Sequence, residues 1–426
     1  MTTLIYCFRN DLRLHDNHAF AWACSNAHHL VPVCLRPEPQ TSMWGFDRTG
    51  PRRRAFVDAA HGSLSRQLRA LGSRLLCLQG SMASTLPALV QQTGAQAVVC
   101  EDIATPEERD DVHALRNQGV VVHTFWQSSL FAYDALPWPV QQTPDIFTAF
   151  RQKLEASGIK PVAPLSPPGF IPPLPKEVQS ICECVLEPLN EAPDPRSSFP
   201  FPDPAFAASE HAAHAHMRQY LQRGLPHSYF DTRNQLQGVD FSTKLSPWLA
   251  CGVLSPRTVA AALAEFEREH GKTRSSYWII FELLWRDHFR FMQLKYGNRL
   301  YHAAGLSALP TPLHDAQAFE RWAKGLTGQP LVDAGMRELA ATGFLSNRMR
   351  QIVASYLVND LACDWRAGAA WFESQLIDYD CYSNQGNWLY IAGRGTDPRG
   401  GRRFNPEKQE RDHDPDGSYR RMWAGV

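Results

Sequence analysis

Residues 97–125 read AVVCEDIATPEERDDVHALRNQGVVVHTF. AVVCE (97–101) and VVVHTF (120–125) are short β-rich apolar runs,. The polar stretch between them opens with Thr105 as a cap, Pro106 at the first helical position and acids behind it,. Strand, helix and strand in this order predict a parallel pair joined by a right-handed crossover. Working outward, LIYCF (4–8), LVPVCL (30–35) and RLLCLQ (74–79) add three strands, and FVDAAHGSLSRQLRALG (56–72) adds a helix. Residues 1–130 are therefore expected to form an α/β domain around a parallel, doubly wound sheet. No G-x-G-x-x-G follows the first strand and no Walker A motif occurs, so this domain lacks the signatures of a dinucleotide or NTP site,. The opening MTTLIYCFRNDLRLHDN carries one apolar run that charges soon end, the pattern of a first strand and not of a signal peptide,.

The texture then changes twice. KPVAPLSPPGFIPPLPKEV (160–178) and EPLNEAPDPRSSFPFPDP (187–204) are dense in proline, which blocks regular structure,. Residues 131–205 are expected as an interdomain linker. Beyond it come SPWLACGVL (246–254), SPRTVAAALAEFEREHG (255–271) and SYWIIFELLWRDHFRFMQLKY (276–296). GMRELAATGFLSNRMRQIVASYLVNDL (335–361) and WRAGAAWFESQLI (365–377) follow. All read as helices, so residues 206–426 are expected to be all-α.

The 426 residues are 44% hydrophobic and 11% aromatic, enough for a large core. Lys+Arg and Asp+Glu both number 43, so net charge gives no vote for nucleic acid, although a local basic patch remains compatible,. No apolar stretch reaches membrane-spanning length. Ten cysteines are scattered without a CxxC pair, Cys182 and Cys184 being the nearest to each other. This usage predicts a reduced, cytoplasmic protein with no disulfide framework and no metal site.

Four segments could carry chemistry. DYDCYSNQGNW (378–388) sets Asp378 and Asp380 after a helical run, at the negative end of its dipole, which calls for a cation, a ligand or solvent to compensate,. STKLSPW (242–248) offers hydroxyls and a lysine where a helix begins, either a phosphate site or an ordinary capped helix,. In FELLWRDHF (281–289), Glu282, Trp285 and Arg286 share a helix face and suit either a base with a flat cofactor or an intrahelical ion pair,. In GFLSNRMRQIVASYL (343–357), Asn347, Arg350, Gln351 and Ala354 share a face,. Arg350 needs a partner there, and Asp378 is the inferred one. Trp365 and Trp388 bracket the DYD segment, either as core packing or as an electron relay,.

Together these residues resemble the photolyase/cryptochrome family. The resemblance is carried by DWR (364–366), LIDYD (376–380), SNQGNW (383–388), TGQPLVDAGMREL (327–339), GFLSNRMRQ, FELLWRD and STKLSPWLA. RNDLRLHDN (9–17), RTGPRRRAF (48–56) and TPDIFTAFR (143–151), with Gln351 and Tyr390, are most similar to its DASH branch. It extends over nearly the whole chain.

The resemblance implies FAD folded into a U within the helical domain. It assigns Tyr229, Ser242, Thr243, Lys244, Leu245 and Ser246 to the pyrophosphate. Glu282, Asn347, Arg350, Asp378 and Asp380 go to the flavin and its sugar, and Asn384 sits beside the reactive central nitrogen. Glu282, Trp285, Asn347, Gln351 and Tyr390 would line the substrate pocket. The implied activity is that of a deoxyribodipyrimidine photo-lyase: electron transfer from excited reduced flavin splits a cyclobutane pyrimidine dimer, preferably in single-stranded DNA. No G-x-S-x-G or H-E-x-x-H occurs, and this chemistry calls for neither. The alternative is a blue-light photoreceptor with little repair, signalling through an unidentified partner. Trp388 and Trp365 match the first two members of an electron relay. Pro312 stands where the third tryptophan is usual, which leaves Tyr301 or Trp322 as other exits. Glu107 matches a contact to a methenyltetrahydrofolate antenna, though an acid in a first helical turn is also ordinary. A monomer is expected, and the sequence departs from DASH proteins in stopping at SYRRMWAGV (418–426), beyond which they usually run on. Basic residues from Arg394 to Arg421, interspersed with acids, could face phosphates or solvent,.

Overall fold

The computed structural model of the chain describes residues 1–178, 192–201 and 203–425. Cys182 and Cys184 lie outside the described residues. Five strands form one sheet: β1 (Thr3–Phe8), β2 (His29–Arg36), β3 (Leu76–Gln79), β4 (Ala97–Glu101) and β5 (Val122–Phe125). Their order is β3-β2-β1-β4-β5 and every pair is parallel. The inner strands β1, β2 and β4 are buried on both faces, as crossover helices require, while the edge strands β3 and β5 are partly exposed,. Along β1, Leu4, Tyr6 and Phe8 enter one apolar cluster, and Ile5 and Cys7 enter another.

Helices α1 (His18–Asn26), α2 (Pro51–Ala70), α3 (Met82–Thr93) and α4 (Pro106–Asn117) cover the sheet. Pro106 sits at the first position of α4, where its missing N–H costs nothing,. The Thr105 hydroxyl does not cap the backbone as expected; it donates to the Glu108 carboxylate.

Residues 131–205 are more than a surface connection. They contain α5 (Phe147–Ala156), and Trp138, Phe147, Phe150, Leu154 and Phe199 are buried in the main core. Aromatic side chains placed between prolines give this segment an apolar anchor that its proline content conceals. Residues 160–168 do run without regular structure.

The rest is helical: α6 (Glu210–Gln222), α7 (Tyr229–Thr232), α8 (Ser246–Ala250), α9 (Pro256–His270), α10 (Arg274–Tyr296) and α11 (Ala316–Ala323). Then come α12 (Pro330–Thr342), α13 (Asn347–Ser355), α14 (Trp365–Gln375), α15 (Cys381–Ile391), α16 (Pro406–His413) and α17 (Ser418–Met422). Among the described residues no strand follows Phe125, and no helix is long and apolar enough to cross a membrane.

Two expectations are corrected here. Residues 335–361 are not one helix: Gly343 adopts φ 69° and closes α12, and Ser346 caps α13 by accepting from Met349 N,. A side chain at Gly343 would also meet Ile377 Cγ2 at 2.8 Å. Residues 381–391 are not a polar turn but α15. Asp380 is its N-cap, accepting from Ser383 N at 2.8 Å, so this carboxylate faces a positive helix end,.

The loop after β1 fastens the two halves. Arg13 donates to Gly252 O at 2.9 Å, Glu210 accepts from Leu14 N at 2.9 Å, and Asp16 pairs with Arg257 at 2.9 Å.

Candidate functional site

A cavity of about 560 Å³ opens in the helical domain. α10 supplies Glu282, Trp285 and Phe289; α13 supplies Asn347, Arg350, Gln351 and Ala354; Asp378 and Asp380 precede α15, which supplies Asn384, Trp388 and Tyr390. Tyr229 and residues 242–246 form the remaining wall. The spacing on α13 works as its sequence predicts: four polar or small residues face the cavity, and Ile352 and Val353 are fully buried behind them.

Arg350 meets Asp378 at 2.7 Å. The second carboxylate oxygen of Asp378 is buried without a hydrogen-bond partner among the described residues. Asp380 is held by Arg290 at 3.2 Å and Arg286 at 3.5 Å. Burial alone would raise its pKa, but the two guanidiniums and the Ser383 N–H outweigh burial and hold it below the ordinary carboxylate range,. Arg286 does not pair with Glu282 on its own helix. Its guanidinium turns away to donate to Ser128 O at 2.5 Å and Leu249 O at 3.0 Å.

Glu282 accepts instead from Arg233 at 2.5 Å and from Trp278 Nε1 at 3.0 Å. The surrounding protein raises its pKa, with Arg233 and the indole opposing. Trp285 stacks on Phe147 of α5 at 3.8 Å between ring centroids and meets Tyr390 edge-on at 5.6 Å. The Tyr390 hydroxyl accepts from Arg402 at 2.5 Å, and Arg402 pairs with Asp397 at 2.8 Å. The Asn384 amide donates to Ala369 O at 3.0 Å, which fixes its plane and frees its carbonyl oxygen as an acceptor,.

Lys244 is 2% exposed, has φ 54° and lies with Nζ 3.0 Å from the centroid of Phe241. Burial lowers its pKa well below the ordinary lysine value, with Glu338 opposing. Ser246 begins α8, a single turn for which no side-chain cap bond forms, so the expected capped helix is not present there.

Two expected residues stand outside the cavity. Trp365 is buried and donates to Ala303 O at 3.1 Å, while Trp388 contacts Trp322 at 6.4 Å and Phe372 at 5.1 Å. Glu107 lies at the domain junction, paired at 2.8 Å with Arg48, which also binds Glu373 of α14 at 2.8 Å. Arg233, Arg290 and Phe147 were not singled out from sequence, because their partners lie far along the chain and no local spacing marks them. Arg402 was read only as one of the basic residues near the C-terminus, and instead it holds the Tyr390 hydroxyl.

The lining is a mixed one, aromatic on one side and charged on another, with buried orphan atoms at Lys244 Nζ, Gln351 Oε1 and Asp378 Oδ1. Buried polar atoms without partners call for a ligand that completes them. A cofactor with a flat ring, hydrogen-bonding edges and phosphates meets that demand, so the residues fit FAD.

Comparison with known proteins agrees. Residues 278–425 match the FAD binding domain of DNA photolyase, and residues 4–168 match the DNA photolyase family. The helical half is thus an FAD-binding domain of photolyase type. A cryptochrome DASH of Xenopus laevis is 42% identical over 99% of this chain and 82% of its own length. One from Gloeobacter violaceus is 43% identical over 99% and 85%. A solved cryptochrome of Synechocystis superposes with a TM-score of 0.93 at 38% identity, covering 99% of this chain and 88% of that one. A bacterial class III photolyase from Agrobacterium tumefaciens gives 0.80 at 28% identity, covering 99% and 86%. The chain belongs to the photolyase/cryptochrome family, among relatives called cryptochrome DASH.

Proposed function

We propose that this protein is a light-driven, FAD-dependent lyase that splits cyclobutane pyrimidine dimers in single-stranded DNA. Bound FAD, reduced and excited, supplies the electron that opens the dimer and recovers it afterwards. The chain's own residues hold and tune. Asp378, pinned by Arg350, keeps one acceptor oxygen for the flavin. Asn384, fixed on Ala369 O, presents a second acceptor. Residues 242–246 and Tyr229 serve the pyrophosphate.

The observation that carries the substrate reading is the wall formed by Glu282, Trp285, Gln351 and Tyr390 in the same cavity. Trp285, backed by Phe147, offers an aromatic surface to a base turned out of its stack. Photolyases are themselves among the base-flipping enzymes, and unstacking costs about a few kcal/mol. Glu282, oriented by Arg233 and Trp278, is placed to hydrogen-bond the edges of the pyrimidines. Trp388 acts as first donor when the flavin is photoreduced, and Trp365 as second. A methenyltetrahydrofolate antenna near Glu107 would lie where Arg48 bridges the two domains. The protein works as a monomer in the cytoplasm.

The test is a comparison of wild type with Glu282→Ala and Glu282→Gln. Light-dependent dimer reversal should fall at least about tenfold in Glu282→Ala while FAD per chain stays unchanged, the size expected for loss of a charge-assisted hydrogen bond. Loss of FAD in step with activity would make Glu282 part of the cofactor cradle, and unchanged repair would remove it from the substrate site.

A further inference from the structure

Away from the cavity, Cys34 of β2, Cys77 of β3 and His61 of α2 bring two sulfurs and a ring nitrogen within 4.8 Å of one another. Cys34 and Cys77 are register partners on adjacent parallel strands, so their side chains leave the sheet on one face,. Their sulfurs are 3.2 Å apart. α2 covers that face, with Ala60, Leu64 and Cys34 in one apolar cluster. His61 is 5% exposed and its Nδ1 has no hydrogen-bond partner among the described residues. A buried orphan ring nitrogen is costly, and apolar packing alone gives no reason for it.

We propose that Cys34, Cys77 and His61 bind a single zinc ion. Two sulfurs and an imidazole make a soft-to-borderline donor set, which excludes Mg²⁺ and Ca²⁺ and selects zinc or cuprous ion. Charge decides between these two. Binding releases two thiol protons to solvent, and the two thiolates then neutralise Zn²⁺. The neighbouring Arg36 is already paired with Asp58 at 2.7 Å, so the zinc site is neutral, whereas a cuprous ion would leave a buried negative charge,. Zn–S bonds of about 2.3 Å in a tetrahedron set the sulfurs about 3.8 Å apart, a small opening from the observed distance. Cys77 is only partly buried, and a water is the proposed fourth ligand,. The ion would fasten β3, a four-residue strand at the sheet edge, to β2 and α2. The three ligands lie far apart in sequence and form no CxxC, so spacing gave no sign of the site. The proposal replaces the sequence expectation of no metal.

The experiment uses the full-length flavoprotein, stripped with a chelator and dialysed against Zn²⁺ or Co²⁺. Elemental analysis should find one zinc per chain. Co²⁺ should give tetrahedral d–d bands on the red side of the oxidised flavin spectrum, a readout that needs no variant. Cys77→Ser and His61→Gln should each weaken zinc binding more than about 100-fold, beyond the usual effect of an outer-shell change. Absence of cobalt bands, equal zinc retention in both variants, one-to-one binding of Cu⁺ in place of Zn²⁺, or a Cys34–Cys77 disulfide in peptide maps of the native protein would each overturn the proposal.

Discussion

At the scale of single residues, the cradle is a set of charges each tied to one partner and open to another. Asp378 gives one oxygen to Arg350 and keeps the other buried and unpaired. Asp378→Ala should therefore cost about 3 kcal/mol, the low end for breaking a buried pair because Arg350 keeps some solvent, and should lower FAD per chain,. Thermal denaturation and the flavin-to-protein absorbance ratio measure both. His288 lies beneath Trp285 and Phe147, fully buried, with Nε2 at 3.1 Å from Pro144 O. Desolvation pulls its pKa down to about 4, against the opposing Pro144 carbonyl and Asp145. An unfolded histidine titrates near about 6.5, so the unfolded chain takes up the proton first as pH falls. The contribution of neutral His288 is intact above about pH 6.5 and is lost towards pH 4, by about 3 kcal/mol. Urea unfolding of wild type and His288→Gln should show the wild type losing stability relative to the variant across that window; parallel curves would contradict it. The Arg350–Asp378 pair was legible because an arginine in an apolar helix must find a carboxylate. Arg233 was not, since its Glu282 partner sits on a different helix and the same-helix Arg286 looked the nearer choice.

At the scale of elements, α14 and α15 meet through a glycine. A side chain at Gly368 would lie 2.2 Å from Trp388 Cη2 and 2.6 Å from Leu357 Cδ2. Gly368→Ala should cost about 1–3 kcal/mol by overpacking and should displace the indole that lines the cavity. Urea denaturation and the rate of flavin photoreduction read the two effects, and an unchanged midpoint would mean a looser contact than the one described. The five strands were all readable from short apolar runs bounded by turns, and α10 from its length. The start of α15 was not. Asp380, Ser383 and Asn384 are poor interior helix formers, so the segment read as a turn after α14, whereas Asp380 in fact caps a new helix,. Residues 335–361 erred the other way: their periodicity runs through Gly343 and Ser346, which only cap geometry divides. In residues 131–205, proline content outweighed the aromatic residues that bury part of the segment.

At the scale of the whole molecule, the polar loop after β1 and α10 join the domains, Asp287 accepting from Leu130 N at 3.1 Å and Phe131 N at 3.0 Å. Such long-range pairs leave no local trace in sequence, although the division into an α/β half and a helical half does. The cavity lies within the helical half, and its aromatic contacts lead from Trp388 to Trp322, which bypasses the proline at position 312. Trp322→Phe should slow photoreduction severalfold and leave repair by chemically reduced protein intact; an unchanged photoreduction rate would exclude Trp322 as an exit. The central claim, that this cavity presents reduced flavin to a pyrimidine dimer in a single strand, is tested most directly by dimer reversal. The purified protein, its flavin chemically reduced, is illuminated with a thymine-dimer oligonucleotide, single-stranded and duplex, beside dark controls. Light-dependent reversal confined mainly to the single strand is the predicted result. No reversal with FAD bound and reduced would contradict the account and favour a photoreceptor.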